Sequence, residues 1–318
     1  MQTAASFLTI ILTVLTLTLT MPPALSQTES AGSKPRVALA LGGGGARGAA
    51  HVGVLEVLEK EGLKPDLIVG NSMGAIVGGL YCAGVPLSEI EHIMESGEIK
   101  KAFKPVPVPV QIMKKAIRKL AFWREKEYPG FYSGQALEDF VNDQVDEDKR
   151  LIENLDSPFA AIAVDLTDGQ AYRLTRGNLG RAVRASSSVP PIFKPVEEDD
   201  HVYADGGIRA NLPTFPARDL GADVVIAVNV DEELSPVSKD ELKSYGRLAD
   251  RLSTILLAVR DNFHETRADL VLRPDVTGIS LLSIKNEDYQ KAIEAGRQAA
   301  RQNLDSIRQL FAEKVAAK

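Results

Sequence analysis

The sequence predicts an α/β fold with a central, largely parallel β-sheet, because short apolar runs alternate with helical segments along the chain. One unit joins an apolar run at 37–41, through a glycine-rich loop, to a helix expected over 49–61. A second unit joins residues 67–69, through a sharp turn, to a small-residue helix over 75–83. Strands that lead directly into helices are typical of parallel sheets.

The elements are predicted in order from the spacing of their apolar residues. Val52, Leu55 and Leu58 recur at helical spacing, and Gly62 with Pro65 supplies the stop signal of this helix. The same reasoning predicts helices over 87–103, 131–145 and 179–185, and one or two closing helices over 287–315. It predicts strands over 159–165, 171–174, 202–204, 224–229 and 269–272, and a helix carrying the apolar stripe Leu248, Leu252, Ile255, Leu256, Val259 and Phe263. Prolines 190, 191 and 195 predict a rigid, irregular loop over 186–195.

The composition is that of an ordinary globular protein. Of 318 residues, 44% are hydrophobic and 25% are charged. The net charge of −6 argues against a nucleic-acid partner, which would normally require a basic excess. The single cysteine, Cys82, excludes an internal disulfide and is expected to be a buried helical thiol. The sequence contains no C-x-x-C or H-E-x-x-H pattern that would indicate a metal site.

Residues 1–26 are predicted to form a secretory signal peptide. An uncharged apolar run over 7–20 precedes a small-x-small site, with cleavage expected after Ser26. The run is short for a membrane span. However, no Lys or Arg precedes it and the α-amino group is the only positive charge at its N-terminal side, so an uncleaved anchor is the alternative. Residues 27–35 then form a flexible lead-in to a folded domain over 36–318, and we expect a periplasmic or secreted protein.

The glycine-rich loop over 42–48 leads into a helix and so presents backbone N–H groups. Such a loop either binds a phosphate or dinucleotide or stabilises an oxyanion. No Lys-Ser or Lys-Thr pair follows Gly48, as a P-loop requires, and the second strand lacks the acidic end of a dinucleotide-binding fold. The oxyanion interpretation therefore fits best. Arg47 either anchors this loop or meets an anionic substrate.

The turn Gly70-Asn71-Ser72-Met73-Gly74 has the G-x-S-x-G pattern of a nucleophile elbow. A serine hydroxyl needs a base, and Asp205 is the better candidate because it stands at a strand end before Gly206 and Gly207. An ordinary turn aspartate is the alternative for this position.

The histidines are weaker candidates for the general base. A Ser-Asp-His order would require His264, which is predicted to face solvent at the end of a helix. His51 is expected to have a structural partner rather than a catalytic role.

Four motifs occur in register: Gly43-Gly44-Gly45-Ala46-Arg47-Gly48, Gly70-Asn71-Ser72-Met73-Gly74, Ala185-Ser186-Ser187-Ser188-Val189-Pro190, and Asp205-Gly206-Gly207. Together they resemble the patatin-like phospholipase family, specifically a bacterial, secreted or periplasmic member. The resemblance covers roughly residues 36–230. Residues 231–318 carry a further strand and helices but no motif of this set.

The resemblance implies a three-layer α/β/α sandwich and a serine lipid acyl hydrolase that needs no metal or other cofactor. Ser72 would be the nucleophile and Asp205 the base of a Ser-Asp dyad. The N–H groups of Gly43, Gly44 and Gly45 would form the oxyanion hole. The supporting motif positions are Arg47, Gly48, Gly70, Gly74, Gly206 and Gly207.

The expected substrates are acyl esters of phospholipids or lysophospholipids, cleaved through an acyl-serine intermediate. The alternatives are a hydrolase of small soluble esters or thioesters and a non-catalytic lipid-binding module. Residues 112–126 interleave basic and large apolar side chains, which fits either a peripheral membrane contact or an ordinary amphipathic helix.

Overall fold

The centre of the protein is an eight-stranded sheet, formed within residues 36–103 and 128–316, which are the residues that this computed structural model describes. The strands are β1 Val37–Leu41, β2 Leu67–Gly70, β3 Phe159–Asp165, β4 Ala171–Leu174, β5 Val196–Glu198, β6 His201–Asp205, β7 Val224–Val228 and β8 Leu270–Leu272. Their order is β5-β6-β3-β2-β1-β7-β8, with β4 paired to β3. The strands β3, β2, β1, β7 and β8 pair in parallel. Strands β4 and β6 each pair antiparallel with β3, and β5 pairs antiparallel with β6. The predicted, mostly parallel sheet is confirmed.

Helices connect the strands and cover the sheet. In the described ranges they are α1 Ala50–Lys60, α2 Met73–Cys82, α3 Leu87–Ser96, α4 Glu98–Phe103, α5 Gln135–Asp143, α6 Leu179–Ser186, α7 Gly207–Ala210, α8 Thr214–Asp219, α9 Tyr245–Glu265, α10 Asn286–Gln302 and α11 Leu304–Ala316. A 3-10 turn at Gly45–Ala49 precedes α1.

Side-chain alternation along β1 shows why the fold has three layers. Leu39 and Leu41 join a large cluster with α1, α2 and α10 on one face of the sheet. Ala38 and Ala40 join a second cluster with α7 and α8 on the other face. Because successive side chains of a strand point to opposite faces, a strand that is apolar throughout must be covered on both sides. The predicted α/β/α sandwich is confirmed.

One predicted helix and three short elements differ between the predictions and the structure. The helix predicted over 87–103 is divided into α3 and α4, because Gly97 adopts a left-handed conformation with φ of 82°. The short strand β5 and the short helices α7 and α8 were not predicted. Elements of three to six residues leave too few positions for a periodic signal.

Helix α9 carries its apolar stripe on the outside. Leu256 is 60% exposed and Phe263 is 64% exposed, whereas Thr254, Asp261 and His264 are buried. Spacing correctly predicted a helix here, but the face that meets the rest of the protein is the polar one. Burying polar groups is unfavourable unless they are hydrogen-bonded, so this inner face is expected to take part in a specific network.

The predicted signal peptide over 1–26, the lead-in over 27–35 and the basic segment over 112–126 lie outside the described residues. Within the described ranges, no helix combines the length and apolarity needed to cross a membrane.

Candidate active site

Ser72 lies in the turn between β2 and α2, with φ of 50° and ψ of −117°. In the described part of the chain, Asp199 is the other non-glycine residue with positive φ. Such a conformation costs on the order of 1–3 kcal/mol and persists only where the surroundings hold it. The turn therefore has the strained geometry of a nucleophile elbow.

The glycines that flank Ser72 are required by close backbone approach. A Cβ atom at Gly70 would overlap the carbonyl group of Gly74, and one at Gly74 would overlap the carbonyl group of Leu41. Only glycine allows the start of α2 to press against the strand ends in this way. These contacts hold Ser72 at the carboxyl edge of the parallel strands.

Asp205 ends β6, and its carboxylate is buried beside Ser72. Its Oδ1 accepts the N–H of Gly207 at 2.7 Å and the side-chain amide of Asn71 at 3.5 Å. Its Oδ2 is buried and accepts no hydrogen bond within ordinary distance and angle limits from any described residue. One carboxylate oxygen is thus fixed in place, and the other is available to a hydroxyl group.

Burial raises the pKa of Asp205 to about 6. Hydrogen bonding from Gly207, Ser72 and Asn71 opposes this rise. The Ser72 hydroxyl is therefore close enough to act on the carboxylate, although no hydrogen bond of strict geometry joins it to Oδ2. Catalytic hydrogen bonds are often long before substrate binds. The carboxyl group is ionised at neutral pH and basic enough to accept a proton.

The end of α6 and the loop that follows it connect the two candidate catalytic residues. The Oγ atom of Ser186 accepts the Ser72 N–H at 3.0 Å, and the carbonyl group of Ser188 accepts the Asp205 N–H at 3.0 Å. Sequence reasoning assigned no role to these serines, although they belong to one of the four motifs. Their place in that motif was the signal that could have identified them.

The glycine loop lies against the elbow, since a Cβ atom at Gly43 would be 3.3 Å from the Cβ of Ser72. The Gly43 N–H donates to the carbonyl group of Asn211 at 3.2 Å. The assignment of Gly43 as an oxyanion donor therefore stays a prediction, since its N–H makes this bond in the structure. Among the described residues, the N–H groups of Gly44 and Gly45 donate to no acceptor.

His51 supports the glycine loop from the first turn of α1. Its Nε2 lies 2.7 Å from the Gly42 carbonyl oxygen. Burial lowers the pKa of His51 to about 4, so the ring is neutral and its Nε2–H donates to that carbonyl. The expected structural partner of His51 is therefore present.

Arg47 is fully buried and anchors the same loop. Its guanidinium donates to the Ile279 carbonyl group at 2.6 Å and pairs with Glu232 at 2.8 Å. Gly48 lets this turn approach α2, since a Cβ atom there would lie 2.6 Å from the Cβ of Met73. The geometry thus favours the anchoring interpretation of Arg47.

His264 is buried, so the prediction that it faces solvent is wrong. Its ring packs edge-on against Phe215, with the ring centres 5.1 Å apart. His264 also lowers the pKa of the Asp261 carboxyl group, which burial raises. The structure brings Asp205, rather than this histidine, to Ser72. The inner face of α9 positions His264 within a separate polar cluster.

Comparisons with known proteins show which family the chain resembles. The family model described as patatin-like phospholipase matches residues 39–218. An uncharacterized NTE family protein of Mycobacterium tuberculosis is 34% identical over 220 residues, which are 69% of this chain and 56% of that protein. The human patatin-like phospholipase domain-containing protein 6 is 35% identical over 217 residues, or 66% of this chain and 14% of its own length.

Solved structures also resemble the chain. VipD from Legionella pneumophila matches with a TM-score of 0.48 and 16% identity, over 88% of this chain and 69% of that one. The type III effector ExoU matches with a TM-score of 0.42 and 16% identity, over 87% and 54% of the two chains.

An α/β/α sandwich with a strained serine elbow and a buried aspartate defines a class of serine hydrolases. The family match covers more than half of the chain, and the chain belongs to the patatin-like phospholipase family. The predicted family is confirmed, and its family model is described as that of patatin-like phospholipases. The chain spans little more than half the length of the mycobacterial relatives.

Proposed function

We propose that the protein hydrolyses acyl esters of phospholipids or lysophospholipids, with Ser72 as nucleophile and Asp205 as base. The observation that carries the proposal is the buried Oδ2 of Asp205, which accepts no hydrogen bond of strict geometry from the described residues and belongs to a carboxylate beside the strained Ser72 turn. A carboxyl group with a pKa of about 6 is ionised at neutral pH yet basic enough for general-base catalysis.

The reaction divides into two half-reactions that share one proton acceptor. The Ser72 oxygen attacks the ester carbonyl carbon, and its proton passes to Asp205. The N–H groups of Gly44 and Gly45, which donate to no acceptor in the part of the chain that the structure describes, support the resulting oxyanion. Collapse expels the alcohol, which takes the proton from Asp205 and leaves an acyl-serine ester. Water then attacks this ester with Asp205 again as base, releasing the fatty acid and restoring Ser72.

Exposed apolar side chains beside the glycine loop support a lipid substrate. The Leu281 carbonyl group accepts the N–H of Ala46, which fixes the following segment against this loop. In that segment Leu282 is 73% exposed and Ile284 is 58% exposed. Large apolar side chains grouped near a site are typical of surfaces that contact lipids or partners.

The serine loop carries exposed apolar groups as well. Val189, directly after Ser188, is exposed, and so is Phe131. The Phe131 N–H donates to the Ile192 carbonyl group at 3.0 Å, so this residue is held to the same loop. Apolar side chains therefore adjoin both loops that contact Ser72 or Asp205. The segment 112–126 is a further proposed membrane contact outside the described residues.

The lipid assignment is tested with the wild-type protein and its Ser72→Ala variant in the presence of chelator. We expect fatty-acid release from phosphatidylcholine vesicles by the wild type alone, and a faster rate from vesicles than from a soluble short-chain ester. Apolar groups around the site would favour an aggregated substrate. Fatty-acid release measured by titration checks both rates.

Two outcomes would contradict the lipid assignment in different ways. Cleavage of the soluble ester alone, without a rate increase above the micellar concentration, would select a soluble ester or thioester hydrolase. Vesicle binding without product, equal in both proteins, would select a non-catalytic lipid-binding module.

We also propose that residues 1–26 direct export, supported by their apolar run and the site after Ser26. The expected result is a mature protein that begins at Gln27 in the periplasm or medium of a bacterial host. N-terminal sequencing of the exported protein checks it. A membrane-bound protein that retains Met1 would select the uncleaved anchor instead.

A further inference from the structure

The side chain of Asn71, which precedes the proposed nucleophile, fills a space between the glycine loop and the turn that follows Asp205. It is fully buried. A Cβ atom at Gly43 would lie 2.6 Å from its Nδ2, and one at Gly206 would overlap its Oδ1. A Cβ atom at Gly207 would lie 3.3 Å from the same Nδ2. Glycines of two separate motifs therefore leave the room that this one amide occupies.

The amide of Asn71 donates to the segments on both sides. Its Nδ2 donates to Oδ1 of Asn211 at 3.2 Å and reaches Oδ1 of Asp205 at 3.5 Å. Asn211 is itself fixed, because its Nδ2 donates to Oδ2 of Asp261 at 2.8 Å and to the Gly43 carbonyl group at 3.3 Å. With its NH₂ group used in this way, its Oδ1 is the atom that faces Asn71. The orientation of the Asn71 amide is therefore defined by its two acceptors.

Ser186, the last residue of α6, meets the same turn from another direction. It is fully buried, and its Oγ accepts the Ser72 N–H at 3.0 Å. Its own hydroxyl group is directed at Oδ1 of Asn71, at 3.5 Å. Ser186 thus contacts both the backbone of the proposed nucleophile and the side chain of the residue before it.

These contacts act on a backbone conformation that a serine rarely adopts. The φ angle of Ser72 is 50°, in the region that residues with a Cβ atom disfavour. Because φ is the rotation about the N–Cα bond, an acceptor that fixes the N–H direction also restricts φ. Without the Ser186 acceptor the turn could relax, and the Ser72 hydroxyl would move relative to Asp205.

We propose that Asn71 and Ser186 form a positioning pair that sets the geometry between the Ser72 hydroxyl and the Asp205 carboxylate. Ser186 holds the backbone of Ser72, and Asn71 holds Oδ1 of Asp205, so that Oδ2 stays available to the hydroxyl. Neither side chain takes a proton in the reaction. The effect on catalysis rests on the proposed function.

Ser187 supplies the matched control. It directly follows Ser186 and is 3% exposed, and its Oγ has no hydrogen-bond partner among the described residues. Ser187→Ala therefore removes a buried hydroxyl from the same motif without removing a contact to Ser72 or Asn71.

The kinetic test compares Ser186→Ala and Ser187→Ala in the full chain, with a soluble short-chain ester as substrate. We expect kcat of Ser186→Ala to fall by about 10- to 100-fold with KM changed less than about twofold, because the change moves a reacting group rather than a substrate contact. Both parameters of Ser187→Ala should stay within about twofold of the wild type. A wild-type kcat in Ser186→Ala, or an equal loss in the two variants, would overturn the inference.

Asn71→Ala removes the amide that donates to Asp205. We expect a similar loss of kcat together with a shift of the acid limb of kcat/KM to higher pH. The shift follows because the Asn71 amide opposes the rise that burial causes in the pKa of Asp205. A loss of kcat without that shift would reduce Asn71 to a packing residue and overturn the pairing. If Asn71→Ala does not fold, the two serine variants decide.

Hydrogen exchange tests the Ser186 contact without catalysis. In Ser186→Ala the Ser72 N–H loses its acceptor, so its exchange with deuterium, followed by NMR, should be about tenfold faster than in the wild type. Ser187→Ala should exchange this N–H at the wild-type rate. Equal rates in all three proteins would overturn the inference. A wild type without Ser72-dependent hydrolysis would refute the proposed function instead, and the exchange rates would still decide whether Ser186 holds Ser72.

Discussion

Replacing Ser72 by alanine is expected to lower kcat/KM by about 10⁴-fold or more, on vesicles and on a soluble ester alike. The substitution removes the only atom that can form the proposed acyl-enzyme ester. Backbone N–H groups and substrate binding would leave a small residual rate. Burst kinetics with a chromogenic ester, followed by mass spectrometry of the trapped protein, would locate the acyl group on Ser72 in the wild type.

Ser157→Ala is the matched control, because it removes the hydroxyl of a buried serine that lies away from the site. Ser157 precedes β3, whereas Ser72 follows β2, and these strands are parallel. The two serines therefore lie at opposite edges of the sheet. Activity within about twofold of the wild type is expected for the control. A Ser72→Ala protein that retains full hydrolysis while folded would contradict the assignment of the nucleophile.

The sheet and the elbow could be predicted because their signals are local. The apolar run Val37–Leu41 and the glycines on either side of Ser72 lie within a few residues of the structure that they specify. Close approach of Gly74 to β1 leaves no alternative residue at that position. Local sequence and final backbone geometry therefore agree at this part of the site.

The face of α9 that is buried could not be predicted. The spacing of apolar residues identifies an apolar face of the helix but does not show what that face contacts. Spacing marks Leu256 and Phe263 as one face, and the structure exposes that face. The opposite face carries Asp261, whose partners lie 49 and 50 positions away along the chain. No window of neighbouring residues contains that information.

The same limit explains the missed polar contacts of the site. Ser186 meets the Ser72 N–H across 114 positions, and Asn211 meets Gly43 across 168. The carbonyl group of Asn211 also accepts the Gly43 N–H, a contact that the glycine motif alone does not reveal. A motif can mark such residues as a set, but the partner of each N–H depends on the tertiary fold.

Replacing Asp205 by asparagine is expected to reduce kcat/KM by about 10⁴-fold while the protein stays folded. The asparagine oxygen can still accept the Gly207 N–H that Oδ1 accepts now at 2.7 Å. The other side-chain atom becomes an NH₂ group, which cannot accept the Ser72 proton. Because a buried charge is removed, the unfolding temperature at neutral pH should be equal to or above that of the wild type.

The wild-type pH profile supplies the matching evidence for Asp205. The pKa of its carboxyl group is raised to about 6, and the base must be ionised to act. Wild-type kcat/KM should therefore rise about tenfold per pH unit below 6 and level off above it, since this parameter reports ionisation in the free enzyme. The residual activity of Asp205→Asn should lack that limb, which a purely structural role of Asp205 would not explain.

Histidine provides the decisive alternative to this assignment. The ring of His264 lies against Phe215, and His264 interacts electrostatically with Asp261. If Ser72 and Asp205 form a dyad, this ring takes no proton from Ser72. An active Asp205→Asn protein together with an inactive but folded His264→Gln protein would reject the dyad and select the Ser-Asp-His order. An inactive Asp205→Asn protein whose wild-type parent shows the limb near pH 6 would identify the buried carboxylate as the base.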